Sequence, residues 1–401
     1  MTEDSVTGIT TQSWLGRIGN SLKGIVFGLI LVCVAIGVLW WNEGRAVKRA
    51  QALDEGIDQV VSIAADSVEQ ANEGKLVHLT GYATTDEILS DPEFKVQAQA
   101  IKLIREVQMY QWRQQKESET RQKLGGGTET ITTYSYVKGW ENRLISSANF
   151  NQQQGHQNPS EMPYGQWHDQ ARDVSLGAFK LSPSLISEID RSTPVQLNEN
   201  SGIHLPSRSS QLNGNEIYVG THPHDPQIGD LRIRFSAMLP TDVSIVSVQR
   251  GQSFMPYFAS NGNKIELLEY GELSAQQMFQ AAQDRNTLLT WIIRGGGFLG
   301  IFIGLRMLLG VIPILAAVIP ALGGLVDAAV GLISLILAAA ISLLTVAIAW
   351  IVYRPILAIA LLTSSILVTV GLIRTKSTKR RQPVPQMHNA AITTPPPPPA
   401  A

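Results

Sequence analysis

Long uncharged stretches occupy both ends of the chain. Residues 24–41 contain no charged side chain and read GIVFGLILVCVAIGVLWW. Between residues 295 and 352 only Arg306 and Asp327 carry a charge, and residues 356–373 are uncharged again. A helix rises about 1.5 Å per residue, so about 20 apolar residues cross the roughly 30 Å of hydrocarbon in a bilayer. The pattern predicts a protein that crosses a membrane several times.

Four transmembrane helices are predicted. The first three cover residues 24–41, 291–309 and 328–352. The fourth lies within residues 353–373, which begin with a turn. The turn is Tyr353-Arg354-Pro355, whose proline suits the first turn of a helix. A signal peptide is the alternative for the first stretch. The sequence WWNEG at its end offers no small-x-small cleavage site, which favours an uncleaved span.

Residues 310–327 interrupt the C-terminal apolar region. Pro313, Pro320 and the glycine pair at 323–324 weaken a straight helix. An interfacial or re-entrant connector is therefore predicted, with a fifth span as the alternative. Arg306 lies three residues before the end of the preceding span, where its side chain can reach the interface. The other interpretation is an intramembrane charge that lines a water path.

Cationic residues determine the predicted orientation. Five lysines and arginines directly follow the last span, at the start of residues 374–401. The positive-inside bias places this segment in the cytoplasm, as a basic and then proline-rich disordered tail, with a polyproline ligand as the alternative. Four spans then place the N-terminal tail, residues 1–23, in the cytoplasm and residues 42–290 outside it. The three cations within residues 45–49 argue for the opposite orientation.

Alternating apolar and polar positions predict a β-rich domain between the first two spans. Strands are predicted over residues 75–82, 101–111, 231–239, 243–248 and 264–269. The run TETITTYSYV, which follows three glycines, predicts a hairpin partner. Helical spacing over residues 46–61 predicts a stalk that continues the first span. The sequence SAQQ at residues 274–277 is a capping box that opens a helix leading into the second span.

The predicted fold class is therefore an α+β membrane protein. It has four transmembrane helices and a large β-rich extracytoplasmic or lumenal domain between the first and second spans. That domain has 22 Lys and Arg against 30 Asp and Glu, which argues against nucleic acid as a partner because nucleic-acid affinity depends on neutralised phosphates. The single cysteine, Cys33, lies in the first span. The domain can therefore form no disulfide, no cysteine-ligated metal site and no thiol nucleophile.

Glycines recur at four-residue intervals in two of the predicted spans. They are Gly24 and Gly28 in the first span and Gly296, Gly300 and Gly304 in the second. The stretch GGGFLG also fits the dinucleotide-binding pattern GxGxxG, but no strand precedes it. Small residues four apart let a neighbouring helix approach closely in lipid. These glycines predict helix packing and, between copies, self-association.

The loop GHQNPSEMP at residues 155–163 carries the side chains most suggestive of catalysis. Its Asn-Pro-Ser sequence is typical of a turn, and His156 has only Glu161 nearby as an acidic partner. A structural loop is predicted here. His222 and His224 lie between prolines, which favours an exposed loop over a metal site. No catalytic residue, cofactor or metal ligand is predicted, and the chain is not expected to be an enzyme.

Six short motifs are distributed along the chain. They are Asn42-Glu43-Gly44-Arg45-Ala46, NEGKLVH at 72–78, EVQMYQW at 106–112, Gly155-His156-Gln157-Asn158-Pro159-Ser160 with Met162, GDLR at 229–232, and Tyr353-Arg354-Pro355. In this order they resemble the motifs of the transmembrane protein 43 family, also called LUMA. The resemblance extends over nearly the whole chain, from about residue 24 to residue 375.

The resemblance implies four spans, cytoplasmic or nucleoplasmic termini, a lumenal domain and no established enzyme activity. Animal members are proteins of the endoplasmic reticulum and inner nuclear membrane that self-associate and help organise envelope complexes with lamins and emerin. It therefore implies those membranes for an animal protein and the plasma (inner) membrane for a bacterial one. The pair His222 and His224 and the proline-rich tail depart from the family pattern.

Three functional hypotheses follow. The first is a multi-pass membrane scaffold that self-associates, driven by the glycines, and organises membrane or envelope complexes through its extracytoplasmic domain. Its expected partners are the lipid bilayer, further copies of the chain and membrane or envelope proteins. The alternative is an ion channel or pore with Arg306 near the conduction path. An envelope enzyme that acts through His156 is the third.

Overall fold

A computed structural model describes residues 4–198, 202–207 and 209–356, together with residues 359 and 363. The chain forms two compact units, Met1–Thr345 and Val346–Ala401. Most of the predicted fourth span, residues 353–373, lies outside the described residues, as does the predicted tail at 374–401.

Long helices dominate both ends of the described chain. The α-helices are α1 (Trp14–Gln59), α2 (Pro183–Glu188), α3 (Ala275–Leu309), α4 (Val311–Ala316) and α5 (Pro320–Tyr353). Single 3₁₀ turns occur at Gln70–Asn72 and Ser147–Asn149. Among the described residues, three segments are long and apolar enough to cross a membrane, namely Trp14–Gln59, Ala275–Ala316 and Leu322–Tyr353.

The region between α1 and α3 is rich in β-structure. Its strands, with one N-terminal strand, are β1 (Asp4–Gln12), β2 (Val61–Ser62), β3 (Leu76–Thr84), β4 (Ile88–Ser90), β5 (Gln97–Gln99), β6 (Lys102–Gln122), β7 (Thr128–Glu141), β8 (Trp167–Gln170), β9 (Ser175–Leu176), β10 (Phe179–Lys180), β11 (Thr193–Pro194), β12 (Ser210–Asn213), β13 (Glu216–Val219), β14 (Leu231–Met238), β15 (Thr241–Arg250), β16 (Ser253–Met255), β17 (Tyr257–Phe258), β18 (Lys264–Ile265) and β19 (Leu267–Tyr270). The predicted α+β class with a large β-rich region is confirmed.

Two sheets organise this domain. The first has the order β1-β7-β6-β14-β13-β12, with β8 also paired to β6 and β11 to β14. The second has the order β10-β9-β3-β15-β16, with β19 also paired to β15 and β2 parallel to β3. The alternating segments of the sequence correspond to β3, β6, β14, β15, β18 and β19. Their apolar positions form the buried faces of the sheets.

The domain is docked on the parts of α1 and α3 that extend beyond the predicted spans. One buried cluster joins Leu53 of α1, Leu76 and Val246 of the second sheet, and Phe279 of α3. At Gly56 an added Cβ atom would lie 2.7 Å from Ile265 Cδ1. The absence of a side chain at this position therefore allows the helix to lie directly against the sheet.

Helix α1 runs without interruption from the predicted first span through the predicted stalk. Its sequence contains no proline, and Ser13 caps its start by accepting a hydrogen bond from Gly16 N at 3.2 Å. Helix α3 begins with the expected capping box, in which Ser274 and Gln277 bond to each other's backbone N–H. Both helices therefore connect the membrane region to the domain continuously.

The connector predicted at residues 310–327 is mostly helical. Helix α4 follows α3 directly, and α5 begins at Pro320 rather than at residue 328. Proline has a φ angle suited to the first helical turn and lacks only an N–H that would have no partner there. Pro320 therefore starts a helix within the segment that the sequence predicted as a connector.

Residues 4–12 form a β-strand and α1 begins at Trp14, whereas residues 1–23 were predicted to be a cytoplasmic tail. Strand β1 pairs antiparallel with β7, from Asp4 opposite Tyr136 to Gln12 opposite Thr128. Its partner β7 forms a long hairpin with β6. β1 is rich in threonine and other residues that favour strands, and pairing satisfies its backbone along one side. The α1 helix begins immediately afterwards.

Candidate functional site

A buried ion pair lies where the predicted first span ends. Glu43 of α1 accepts hydrogen bonds from Nε and Nη2 of Arg294 in α3, both at 2.7 Å. The Glu43 side chain is fully buried and that of Arg294 is 17% exposed. The Arg294 guanidinium also lies 4.8 Å from the centre of the Trp291 ring. This bidentate geometry is the strongest arrangement available to arginine and a carboxylate.

A layer of amides and hydroxyls lies next to this pair. Asn42 Nδ2 donates to the carbonyl oxygen of Thr290 at 3.2 Å. Arg45 donates to Asn286 Oδ1 at 3.1 Å, to Asn42 Oδ1 at 3.2 Å and to Thr290 Oγ1 at 3.1 Å. Asn286 Nδ2 in turn donates to the carbonyl oxygen of Ala46 at 3.0 Å. Together with Glu43 and Arg294, the four side chains at 42, 45, 286 and 290 form what we term the juxtamembrane network.

The network includes residues of the first family-like motif, which covers positions 42–46. Asn42, Glu43 and Gly44 are buried, and Arg45 is half-buried. Six of these hydrogen bonds cross between α1 and α3. The bond from Arg45 to Asn42 stays within α1, and one from Thr290 Oγ1 to the Asn286 carbonyl oxygen stays within α3. Polar groups buried at a helix contact require matched partners, so a shift of one helix along the other would leave several of them unsatisfied. The network therefore fixes the register of the two helices.

The glycines predicted to pack helices lie at the crossing of α1 and α3. An added Cβ atom at Gly28 would lie 2.5 Å from the carbonyl oxygen of Gly304, and one at Gly304 would lie 2.8 Å from that of Gly28. At Gly300 it would lie 3.1 Å from Ala35 Cβ. Gly24 is only in loose contact, 3.8 Å from Met307 O, and Gly296 has open space.

This helix crossing differs from the expected one in two respects. The close position next to Gly296 is Gly297, whose Cβ would lie 2.4 Å from Leu39 Cδ2. The neighbouring helix is also part of the same chain. The closest glycines therefore contribute to packing within one copy.

Arg306 has an acidic partner within the membrane region. Its Nη2 donates to Asp327 Oδ1 at 2.9 Å and its Nη1 to the Asp327 carbonyl oxygen at 2.8 Å. Gly331 lies beside the pair, where a Cβ atom would be 3.3 Å from Arg306 Nη1. Both interpretations drawn from the sequence, a snorkelling anchor and a charge lining a water path, left out this ion pair. It joins α3 to the start of α5.

The loop at residues 155–163 supports the base of the long hairpin. His156 is buried and stacks on Tyr136 at a ring distance of 3.9 Å, with Trp112 edge-on at 4.7 Å. Its Nδ1 lies 3.2 Å from the carbonyl oxygen of Gln152. Gly155 has a φ of +86°, which favours glycine. These contacts place His156 in a packing role.

Asn158 acts as a substitute for a strand at the edge of β6. Its Oδ1 accepts from Trp112 N at 2.8 Å, and its Nδ2 donates to the carbonyl oxygens of Trp112 at 2.9 Å and Ile145 at 3.1 Å. The following Pro159 lies against Gly229, where a Cβ atom would be 3.3 Å from the proline ring. The contacts of Asn158 and Pro159 are those of a structural turn, as the sequence predicted for this loop.

The loop of His222 and His224 lies beside a short hydrogen bond. The Tyr218 hydroxyl is 2.5 Å from Asp230 Oδ2 and 3.1 Å from the carbonyl oxygen of His222. Burial raises the pKa of the Tyr218 hydroxyl, and the hydrogen bond to Asp230 raises it further. Within the described ranges, no group of three or more His, Cys, Asp and Glu side chains is placed to hold a metal ion.

The last family-like motif marks the end of α5. The helix ends at Tyr353, and the N–H of Arg354 bonds to the carbonyl oxygen of Trp350 at 2.8 Å. The Arg354 guanidinium lies 5.8 Å from the Trp350 ring centre. Helical geometry resumes at Pro355, as the predicted turn requires.

The long hairpin reaches the opposite end of α1 from the domain. At its tip, Arg17 donates to the carbonyl oxygen of Gly126 at 2.6 Å, and a Cβ atom at Gly126 would be 2.5 Å from the Trp14 ring. From Asn42 back to Trp14, α1 extends about 42 Å. From Tyr110 to its end, β6 extends about 40 Å. The hairpin is therefore long enough to match the predicted first span, and its tip contacts the start of α1.

This part of the sheet is strongly polar. It consists of β1, residues 112–122 of β6 and residues 128–138 of β7, and we call it the membrane-depth sheet. After Trp112, the β6 portion reads RQQKESETRQ, without a single apolar residue. In the described chain, β1 is the terminal strand of its sheet. One edge of this sheet is thus unpaired in the described chain, on the part of the sheet that extends towards the start of α1.

Comparison with known proteins establishes the family. A family model described as Transmembrane protein 43 matches residues 109–355. A Rattus norvegicus protein named Transmembrane protein 43 is 34% identical over 382 residues, which cover 92% of this chain and 94% of the relative. The chain belongs to the transmembrane protein 43 family. The resemblance to this family is confirmed, and the chain is an integral, multi-pass membrane protein.

Other relatives in the transmembrane protein 43 family agree with this assignment. The Homo sapiens protein named Transmembrane protein 43 is 33% identical over 90% of this chain and 92% of its own length. A Drosophila melanogaster homolog is 32% identical over 84% of this chain and 90% of its own length. No solved structure matches the chain.

The sequence of this transmembrane protein 43 family member did not reveal which residues bind the candidate residues Asn42, Glu43, Arg45 and Arg306. Asn286, Thr290 and Arg294 complete the juxtamembrane network, and Asp327 completes the ion pair of Arg306. A signal for Asp327 was present, because it and Arg306 are the two charges between residues 295 and 352. Asn286 and Thr290 gave no such signal, since they lie more than 240 residues from their partners in α1.

Proposed function

We propose that this protein is a self-associating membrane scaffold that organises membrane or envelope complexes through its β-rich domain. The observation that supports this proposal is the membrane-depth sheet. A polar sheet with an open edge is unstable in lipid, because each unpaired backbone group in hydrocarbon costs several kcal/mol. Further copies of the chain would remove this cost by enclosing the sheet.

The charges of the sheet support enclosure as well. Its β6 portion carries Arg113, Lys116, Glu117, Glu119 and Arg121. Charged side chains at this depth occur in proteins where they face other protein or a water-filled cavity. In the proposed assembly, the sheets of several copies face an interior and the spanning helices face lipid. The exposed apolar side chains of α1, among them those in residues 26–30, suit the lipid-facing position.

The closest helix-packing glycines have a different role in this proposal from the one first expected. Gly28 and Gly304 pack α1 against α3 inside one copy, so they shape the subunit. The strand edge of β1 is the surface proposed to bind a neighbour, since exposed edges are templates for pairing with another chain. The β-rich domain, carried above the membrane by α1 and α3, is the proposed platform for membrane or envelope proteins.

Cysteine cross-linking at the edge of β1 tests self-association. In a chain whose single cysteine is removed by Cys33→Ser, Ile9→Cys is expected to give covalent multimers in native membranes. Ile88→Cys is the matched control, since Ile88 is 65% exposed and Ile9 64%, but Ile88 lies in the short strand β4. The expected result is cross-linking at position 9 and little at position 88.

The mass of the purified protein provides the second measurement. Light scattering of the wild-type protein in nanodiscs should give a multiple of the 43.7 kDa chain mass. A monomeric mass, together with no cross-linking at position 9, would refute the proposal. Equal cross-linking at positions 9 and 88 would indicate random collision and would also count against it.

An ion-conducting pore is the second candidate function, and the same sheet supports it. If several copies surround polar strands, the interior contains water and the charges of β6. The conduction path would then follow the sheet, because Arg306 is already paired with Asp327. In planar bilayers, Lys116→Glu is expected to shift the anion-to-cation permeability ratio while Arg306→Leu leaves it nearly unchanged. An electrically silent protein, or a larger shift from Arg306→Leu, would reject this pore.

A further inference from the structure

A cationic cavity lies between α1, α3 and the underside of the domain. It has a volume of 230 Å³ and is lined by Arg45 and Arg49 of α1 and by Arg285 of α3, together with Asn263, Leu267, Ala282, Asn286 and Leu289. The surrounding domain is acidic, with 30 Asp and Glu against 22 Lys and Arg in residues 42–290. Three arginines around one small cavity are therefore a local reversal of charge.

The carboxylates nearby neutralise only part of this charge. Arg285 pairs with Glu269. In the described residues, Arg45 and Arg49 have no carboxylate within ion-pair distance, since the nearest acid in the network, Glu43, is bound to Arg294. Arg49 donates through Nη1 to the Lys264 carbonyl oxygen. Among the residues that the structure describes, Arg45 and Arg49 thus form no ion pair of their own, although Glu43 is close enough to Arg45 to attract it.

One donor at the cavity also has no hydrogen-bond acceptor. Among the described residues, Nε of Arg45 is buried and makes no hydrogen bond, although both terminal nitrogens of the same guanidinium do. Buried N–H donors are almost always paired, and an unpaired one costs about 1 to 3 kcal/mol. That Nε is shielded from solvent, so the cavity offers a ligand the guanidinium groups of the three lining arginines, whose cationic charge suits an oxyanion.

The position of the cavity indicates the source of that oxyanion. Arg45 lies one helical turn, about 6 Å, beyond Trp41, and Leu289 lies two residues before Trp291 in α3. Both tryptophans are exposed, and tryptophan is enriched at the boundary between lipid and water. The lipid headgroup layer extends about 5 to 8 Å beyond the hydrocarbon. Arg45 lies at this level, and Arg285 and Arg49 lie about 9 Å and 12 Å beyond their tryptophans, where their long side chains can reach back to it.

We propose that the cavity formed by Arg45, Arg49 and Arg285 binds the phosphate of an anionic phospholipid headgroup. The guanidinium groups donate to the phosphate oxygens, a pairing that arginine favours through its planar set of donors. Leu289 lines the cavity and the neighbouring Leu288 is exposed, so both offer apolar surface to the start of the acyl chains. This site is independent of the proposed self-association, because it lies within one copy.

Lipid binding by the full-length protein tests the site. The delipidated protein is titrated with phosphatidylglycerol in detergent, and bound lipid is counted by native mass spectrometry. The combined variant Arg49→Gln/Arg285→Gln is expected to bind at least about tenfold more weakly, since the loss of a single charge-assisted hydrogen bond already corresponds to about that factor. Lys48→Gln is the control, since it removes an exposed cation at the same height that does not line the cavity.

A second variant distinguishes a loss of lipid binding from misfolding of the protein. Leu289 is an exposed residue at the rim, so Leu289→Glu adds a negative charge without changing the core, and it should also weaken phosphatidylglycerol binding about tenfold. Equal losses with Lys48→Gln would show a general surface effect and overturn the proposal. So would phosphatidylcholine binding as tightly as phosphatidylglycerol, or inorganic phosphate displacing the lipid at equal concentration, which would identify a free-phosphate site.

Discussion

Replacing Glu43 by glutamine is expected to lower the free energy of unfolding by about 3 to 5 kcal/mol. Glu43 is fully buried and holds both donors of the Arg294 fork at 2.7 Å. The substitution leaves the arginine charge in a nearly dry helix contact without its counter-charge. Unfolding in mixed detergent micelles, followed by tryptophan fluorescence, measures the change.

Two controls separate the buried charge from a general effect of mutation. The double variant Glu43→Gln/Arg294→Met should recover much of the loss, because removing both charges also removes the uncompensated one. Asp173→Asn breaks an exposed ion pair with Lys180 and should cost less than about 1 kcal/mol. If Glu43→Gln costs no more than Asp173→Asn, the juxtamembrane network does not fix the helix register.

The substitution Gly28→Ala is expected to destabilise the protein by about 3 kcal/mol, at the upper end of overpacking effects. The new methyl group would lie 2.5 Å from the carbonyl oxygen of Gly304 and 3.0 Å from Leu308 N. Both atoms belong to the backbone of α3, which cannot move as a flexible side chain can. The helices must therefore separate. The same unfolding assay records the loss.

Gly37→Ala in the same helix is the matched control. No atom lies within 4 Å of a Cβ built at Gly37, so the change should be neutral or stabilising by up to about 1 kcal/mol through helix propensity. Gly296→Ala and Gly297→Ala form a second matched pair in α3, in which only position 297 meets a neighbour, Leu39. Equal effects at positions 28 and 37 would contradict the crossing described here.

The apolar stretches and the alternating positions of the sequence correctly predicted several helices and strands. The apolar stretches at residues 24–41 and 328–352 lie within α1 and α5, and the alternation at residues 231–239 corresponds to β14. The capping box at Ser274 marks the start of α3. Such features depend on neighbours within a few residues, so a single sequence carries them.

Features that depend on distant pairing could not be predicted in the same way. Strand β1 has its partner more than 110 residues away, and nothing in its own alternation identifies β7. The amide layer of the juxtamembrane network joins residues about 240 positions apart. Asn42, Glu43 and Arg45 were singled out by their motif, but their chemistry becomes apparent only when α3 is placed beside them. The sequence therefore identified half of the site.

The uninterrupted course of α1 has a mechanical consequence. A helix of 46 residues is about 68 Å long. Helices adjust their tilt to the thickness of the surrounding bilayer, and a change of about 10° in a lever of that length displaces one end by about 12 Å relative to the other. Because the domain is anchored to the outer arm of this lever, a thinner or thicker bilayer would swing it laterally as a rigid body.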